Sequence, residues 1–104
     1  MSTEEALAAV RPKLAIALDV DDLILARRLA ASVSDYFGVV KIGLELFSAA
    51  GPEAIGVMHD LGMDVFLDVK LHDIPNTVGK AGRVLGALGA KYLTMHARGG
   101  EDML

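Results

Sequence analysis

The sequence lacks cysteine and tryptophan altogether, and aromatic residues make up only 5% of its 104 positions. Without cysteine there is neither a disulfide framework nor a thiolate metal site, and a reducing compartment is expected. No basic block occurs and the net charge is −4, which argues against nucleic acid or a membrane as the main partner. The N-terminus lacks the pattern of a signal peptide, and no uncharged run approaches a membrane span. We therefore expect a soluble, cytoplasmic protein.

Hydrophobic residues supply 53% of the chain, and most of them are Ala, Val, Leu and Ile. Such residues are the usual filling between helices and a parallel sheet. A length of 104 residues allows one modest core and no more than one domain. The composition therefore predicts an α/β fold built around a single core.

Short apolar runs alternate with longer amphipathic ones along the chain. Strands are predicted at residues 13–18, 39–42, 63–70 and 91–96. Helices are predicted from residue 21 or 22 to about 34, at 44–50, from 52 to near 62, and from 76 to about 88. A helix after each of the first three strands is the repeat of a parallel sheet whose strands follow chain order.

Two architectures fit this repeat: a doubly wound open sheet and an arc of a (βα)8 barrel. Polar residues decide between them, because they cluster where the predicted strands end: Asp19, Lys41, Asp68, Lys70 and His96. In a barrel all of these ends face the mouth that holds the active site. A doubly wound nucleotide fold would instead place a Gly-rich phosphate turn after strand 1, where this chain has an acidic turn. The barrel is therefore favoured, with residues 1–104 forming the N-terminal portion of one barrel domain.

The most informative segment surrounds the end of the third strand. Asp68 and Lys70 are two positions apart and share a strand face, while Asp73 lies beyond the strand. Lys41, at the end of the neighbouring strand, completes an alternating row of charges. A catalytic centre and a surface salt-bridge cluster fit this spacing equally well.

The residues from Asp68 to Val78, read as D-V-K-L-H-D-I-P-N-T-V, resemble the signature of bacterial orotidine 5'-monophosphate decarboxylases. Residues 17–19, 40–43 and 94–100 resemble the ends of strands 1, 2 and 4 in that family. The likeness runs in order through nearly the whole chain after residue 13. It implies a (βα)8 barrel that converts orotidine 5'-monophosphate to uridine 5'-monophosphate in pyrimidine biosynthesis, with no metal and no cofactor.

The resemblance also implies roles for individual residues. Lys70 would donate a proton to C6 of the pyrimidine, and Asp68 would lie against the substrate carboxylate. The residues that would form the catalytic charge network are Lys41, Asp68, Lys70 and Asp73. The residues that would bind the nucleotide are Asp19, Lys41, Asp68, Asp73, Ile74, Asn76 and Thr77. Asp73, Ile74 and Thr77 would reach the neighbouring site of a homodimer.

Two alternatives remain open. Magnesium-dependent phosphosugar enzymes, such as 3-keto-L-gulonate 6-phosphate decarboxylase, resemble this chain in the D-x-K-x-x-D segment. They have an acidic metal ligand at the position where this chain has Lys41. A half-barrel of four βα units would also expose two apolar sheet edges, so the chain could be an inactive fragment that associates with itself. Phosphate-binding loops usually follow strands 7 and 8, so we expect little turnover from this chain alone.

Overall fold

Helices and the strands of one parallel sheet alternate in the computed structural model, which describes residues 2–104. The strands are β1 (Ala15–Ala17), β2 (Val39–Gly43), β3 (Asp64–Leu71) and β4 (Ala90–Met95), in spatial order β1-β2-β3-β4. The helices are α1 (Thr3–Val10), α2 (Leu23–Val33), α3 (Leu44–Ala50), α4 (Glu53–Asp60) and α5 (Pro75–Ala87). Short 3-10 helices cover Arg11–Lys13 and Ala97–Gly99. Across residues 2–104, no helix has the length and apolar character needed to cross a bilayer.

The core lies between one face of the sheet and the helices. Val65 and Leu67 of β3 are fully buried on that face, beside their register partners in β2, Val40 and Ile42. The helices contribute the buried side chains Ala26, Ala30, Leu46, Ala54, Ile55 and Met58. Residues of β3 that alternate with the buried ones therefore lie on the opposite face. That face carries the polar residues Asp64 and Asp68, so the core and the charge row occupy opposite sides of the sheet.

Asp22 begins α2 immediately after the loop that follows β1. Its Oδ1 accepts hydrogen bonds from the backbone N–H groups of Ile24 at 2.8 Å and Leu25 at 3.1 Å. These bonds satisfy donors that have no partner within the helix. The helix predicted from residue 21 or 22 is thus capped by Asp22, and Asp19 lies before it, after β1.

The structure differs from the sequence prediction mainly in the length of β1, the end of β4 and the presence of α1. Strand β1 is shorter than predicted because the segment through Lys13 forms a 3-10 turn, although Leu14 O and Leu18 N still hydrogen-bond to β2. Strand β4 ends at Met95, so His96 lies just beyond the strand. Helix α1 was not predicted at all. The sequence does contain the pattern that begins a helix, a serine followed three residues later by a glutamate. In the structure Ser2 accepts a hydrogen bond from the backbone of Glu5 and donates one to the Glu5 side chain.

Candidate active site at the carboxyl ends of the strands

Three charged side chains meet at the carboxyl ends of β2 and β3. Oδ2 of Asp68 lies 3.0 Å from Nζ of Lys70 and 3.7 Å from Nζ of Lys41. Strand register explains the contact across strands, because Asp68 pairs with Gly43, two residues after Lys41 and on the same face. The structure thus brings together the first three members of the expected charge row.

The other oxygen of Asp68 is held from β4. The Thr94 hydroxyl donates a hydrogen bond of 2.8 Å to Oδ1 of Asp68, so both carboxylate oxygens have partners. The hydrogen bond from Thr94 and then the contact with Lys70 hold the pKa of Asp68 below its ordinary value of 3.8. Lys41 adds to this lowering, while partial burial of Asp68, whose side chain is 15% exposed, opposes it. Asp68 is therefore an anion at neutral pH.

This lowered pKa links the charge of Asp68 to the stability of the fold. The folded chain binds a proton at Asp68 less readily than the unfolded chain does. The resulting stabilisation is fully present above the ordinary pKa of 3.8 and is lost as the pH falls through the lower pKa of the folded state. This contribution of Asp68 to the stability of the fold is therefore constant throughout the neutral range.

Lys70 has an unusual backbone conformation. Its φ of 52° places a residue with a side chain in the left-handed region, and Lys70 is the one non-glycine residue among 2–104 that does so. The pairing of β3 with β4 also changes register between Leu67 and Leu71. Lys70 therefore lies in an interruption of the sheet, and its side chain is 54% exposed beside Asp68.

Asp19 lies at the same edge, after β1. Its Oδ1 is 3.8 Å from the point that a Cβ would occupy on Gly43, the strand residue that pairs with Asp68. Asp19 is exposed and forms no ion pair among residues 2–104, so it lies beside the end of β2 without joining the charge centre.

The loop after β3 carries the remaining expected residues away from this centre. Asp73 accepts a hydrogen bond of 2.7 Å from the backbone of Ile74 and makes no ion pair within residues 2–104. Asp73 therefore lies apart from Lys41, Asp68 and Lys70 of its own chain, because its carboxylate is turned to its own loop. Ile74 is 63% exposed, and Asn76 and Thr77 are exposed in the first turn of α5.

A shallow depression lies next to this loop. Its volume is about 590 Å³ and it is lined by His72, Asp73, Ile74, Pro75, Arg98 and Gly99. The rings of His72 and His96 lie 5.2 Å apart between centroids, just beyond β3 and β4. The part of the chain that the structure describes contains no group of three or more His, Asp or Glu residues placed to hold a metal ion.

The family model for orotidine 5'-phosphate decarboxylase and the HUMPS family matches residues 12–104. The chain belongs to this family. It is 48% identical over 94 residues to the orotidine 5'-phosphate decarboxylase of Moorella thermoacetica, covering 90% of this chain and 37% of the relative. Over 71 residues it is 56% identical to the Lactiplantibacillus plantarum enzyme of the same name, covering 68% of this chain and 30% of that relative.

Solved structures of the family agree with the fold. The chain matches orotidine 5'-phosphate decarboxylase from Pyrococcus horikoshii with a TM-score of 0.81 and 33% identity, over 86% of this chain and 44% of that one. The enzyme from Methanocaldococcus jannaschii matches with a TM-score of 0.81 and 34% identity, over 89% and 46% of the respective chains. The predicted fold class is confirmed: the four βα units are those of the family's barrel. The chain spans about two fifths of the length of the curated relatives it matches.

The left-handed backbone conformation of Lys70 should determine which substitutions at this position the fold tolerates best. Lys70→Ala and Lys70→Gly both remove the ammonium group, but only glycine removes the Cβ that makes a positive φ unfavourable. We expect Lys70→Gly to be more stable than Lys70→Ala by up to about 1 kcal/mol in chemical denaturation. The same pair at Lys80, inside α5, should show the reverse order, since glycine weakens a helix interior by about 1 kcal/mol. A Lys70→Gly variant less stable than Lys70→Ala would contradict the strained backbone.

Proposed function

We propose that the protein to which this chain contributes decarboxylates orotidine 5'-monophosphate to uridine 5'-monophosphate. The observation that carries the proposal is the ionised Asp68, held between the ammonium groups of Lys41 and Lys70 at the carboxyl ends of parallel strands. Membership in the family supports it, as do curated relatives whose names state this activity. Because the chain spans only part of those relatives, the activity belongs to the whole protein.

Lys70 is the proposed proton donor. Loss of carbon dioxide leaves negative charge on C6 of the pyrimidine, and a fixed ammonium group beside that carbon stabilises the transition state more than the ground state. The side chain of Lys70 is 54% exposed, so its ammonium group is open to a ligand at the mouth. The same group then delivers the proton that replaces the departing carboxylate.

Asp68 and its neighbours position the substrate. The Asp68 carboxylate faces the substrate's own carboxylate, and the repulsion between them disappears as carbon dioxide leaves. A low pKa keeps Asp68 charged for this purpose, because protonation would remove the repulsion. Asp19 and Lys41 border the same space from β1 and β2 and are the proposed contacts of the ribose hydroxyls.

The loop after β3 is the proposed contribution to a second subunit. Asp73, Ile74, Asn76 and Thr77 are all exposed, and Asp73 is not paired with the charge centre of its own chain. These features support a homodimer in which Asp73, Ile74 and Thr77 act at the neighbouring site. A residue that acts in the partner's site must be exposed on its own subunit when that subunit is considered alone.

The magnesium-dependent phosphosugar branch is the weaker candidate. An ammonium group 3.7 Å from Asp68 opposes a divalent cation at the end of β2, because the two positive charges repel.

Residues 1–104 carry the charge centre, whereas the loops that bind phosphate usually follow strands 7 and 8 of a barrel. We therefore propose that residues 1–104 alone have little or no turnover.

The proposed function is tested by joining residues 1–104 to the remaining length of the Moorella thermoacetica relative. We expect this chimera to consume orotidine 5'-monophosphate, followed by loss of substrate absorbance, at a rate that EDTA does not change. Lys70→Ala should lower kcat by about 10²–10⁴-fold, the usual contribution of a positioned proton donor. Lys13→Ala, an exposed lysine before β1, is the matched control and should leave the rate unchanged.

Two outcomes would contradict this proposal. A folded chimera in which Lys70→Ala keeps the wild-type rate would show that Lys70 is not the proton donor. Activity that EDTA abolishes and magnesium restores would favour the phosphosugar branch, and turnover of 3-keto-L-gulonate 6-phosphate in the same samples would identify that branch directly.

The dimer is tested by mixing two inactive chimera variants, Lys70→Ala and Asp73→Ala. If Asp73 acts in the partner's site, each mixed dimer has one site with both residues intact. Equal mixing of subunits should then restore about a quarter of the wild-type activity, since half of the dimers are mixed and each has one working site. If Asp73 acts in its own chain, every site lacks one residue and the mixture should stay inactive, which would contradict the shared site.

A further inference from the structure

The hydroxyl of Thr94 joins two groups of the charge centre. Its oxygen lies 2.8 Å from Oδ1 of Asp68 and 3.0 Å from the backbone nitrogen of Lys70. A backbone N–H only donates and an ionised carboxylate only accepts, so Thr94 accepts from Lys70 and donates to Asp68. Both directions are fixed by chemistry, and the single hydroxyl proton of Thr94 is committed to Asp68.

This bridge lies where strand pairing is interrupted. Leu67 pairs with Leu93, and pairing resumes with Leu71 opposite Met95, so three residues of β3 face one residue of β4. The residue of β4 in that gap is Thr94. An interrupted ladder leaves backbone donors without carbonyl partners, and the N–H of Lys70 is paired with the Thr94 side chain instead.

The same contact supports the left-handed backbone of Lys70. A positive φ is unfavourable for a residue with a Cβ and persists where the surroundings fix it. The Lys70 ammonium group in turn contacts Oδ2 of Asp68, whose Oδ1 is bonded to Thr94. Thr94, Asp68 and Lys70 thus form a closed ring of contacts in which the threonine hydroxyl holds both the Asp68 carboxylate and the backbone of Lys70.

We infer that Thr94 is a positioning residue whose hydroxyl fixes the orientation of the Asp68 carboxylate and the backbone of Lys70, and so places the Lys70 ammonium group for proton delivery. The catalytic half of this inference rests on the proposed decarboxylase function. The positioning half rests on the geometry alone. Thr94 contacts Asp68 and Lys70 and acts through them.

Two substitutions separate the hydroxyl from the shape of the side chain. Thr94→Val keeps the branched side chain that suits a strand and removes the hydroxyl, whereas Thr94→Ser keeps the hydroxyl. In the chimera, Thr94→Val should lower kcat by about ten- to a hundredfold, the effect of losing one hydrogen bond to a charged group. KM should change by less than about threefold, because the Thr94 hydroxyl is bonded to Asp68 and Lys70 and is not one of the proposed substrate contacts.

The rescue and the control complete the kinetic test. Thr94→Ser should recover most of kcat. Ser32→Ala removes a hydroxyl that bonds to Leu29 O within α2, far from the charge centre, and should leave both constants unchanged. Equal loss of kcat in Thr94→Val and Thr94→Ser, or a wild-type kcat in Thr94→Val, would overturn the catalytic half while leaving the proposed function standing.

A second readout does not depend on the reaction. In the 104-residue chain, hydrogen exchange at the Lys70 amide should be protected by the bond to Thr94, although Lys70 is exposed. Thr94→Val should speed exchange at that amide by at least about tenfold, Thr94→Ser should not, and the amides of Phe66 and Leu67 should be unchanged. Unprotected Lys70 in the wild type, or equal protection in Thr94→Val, would overturn the positioning half. A protected amide together with an inactive wild-type chimera would instead refute the proposed function and, with it, the catalytic half.

Discussion

The charge centre depends on keeping one carboxylate, that of Asp68, ionised and fixed at the edge of the sheet. A carboxylate has two oxygens, and each must have donors if the group is to be both partly buried and charged. Here the donors come from three strands: Lys41 from β2, Lys70 from β3 and Thr94 from β4. Only a sheet in which these strands are adjacent and parallel brings all three to the same end.

The sequence predicted this parallel sheet because the patterns that mark its strands and helices are local in the chain. Alternation of apolar and amphipathic runs gave the parallel sheet in chain order, which the structure confirms. Since carboxyl ends of parallel strands meet at one edge, Lys41 and Asp68 could be placed together from their positions alone. The acidic cap of α2 was also predictable, because Asp22 precedes the first helical residue.

Other features required three dimensions. The left-handed turn at Lys70 and the change of register beside it depend on how β3 pairs with β4, and no residue type in the sequence marks them. Thr94 was overlooked for the same reason: a threonine inside an apolar strand fits the strand itself, and only the pairing shows that its hydroxyl faces Asp68. The position of Asp73 also needed the structure, because only the structure shows that its carboxylate bonds to the adjacent backbone.

The proposed proton donation by Lys70 and the stability of the fold make opposing demands at this position. Glycine is the residue that best tolerates a positive φ, yet it has no ammonium group. The chain has lysine there and supports it with contacts to Thr94 and Asp68. A strained conformation fixed by its surroundings is typical of functional sites, so the strain at Lys70 favours a catalytic charge centre over an ordinary surface salt bridge.

The most direct test of this account is a crystal structure of the chimera with uridine 5'-monophosphate bound. The account predicts that C6 of the pyrimidine lies near Nζ of Lys70, within about 3–3.5 Å, the separation expected of reacting atoms. It also predicts that Asp68 keeps its contacts with Thr94 and Lys70 on the side of the ring from which carbon dioxide leaves. A nucleotide bound with its pyrimidine turned away from Lys70, or bound outside the edge formed by β2, β3 and β4, would contradict the account.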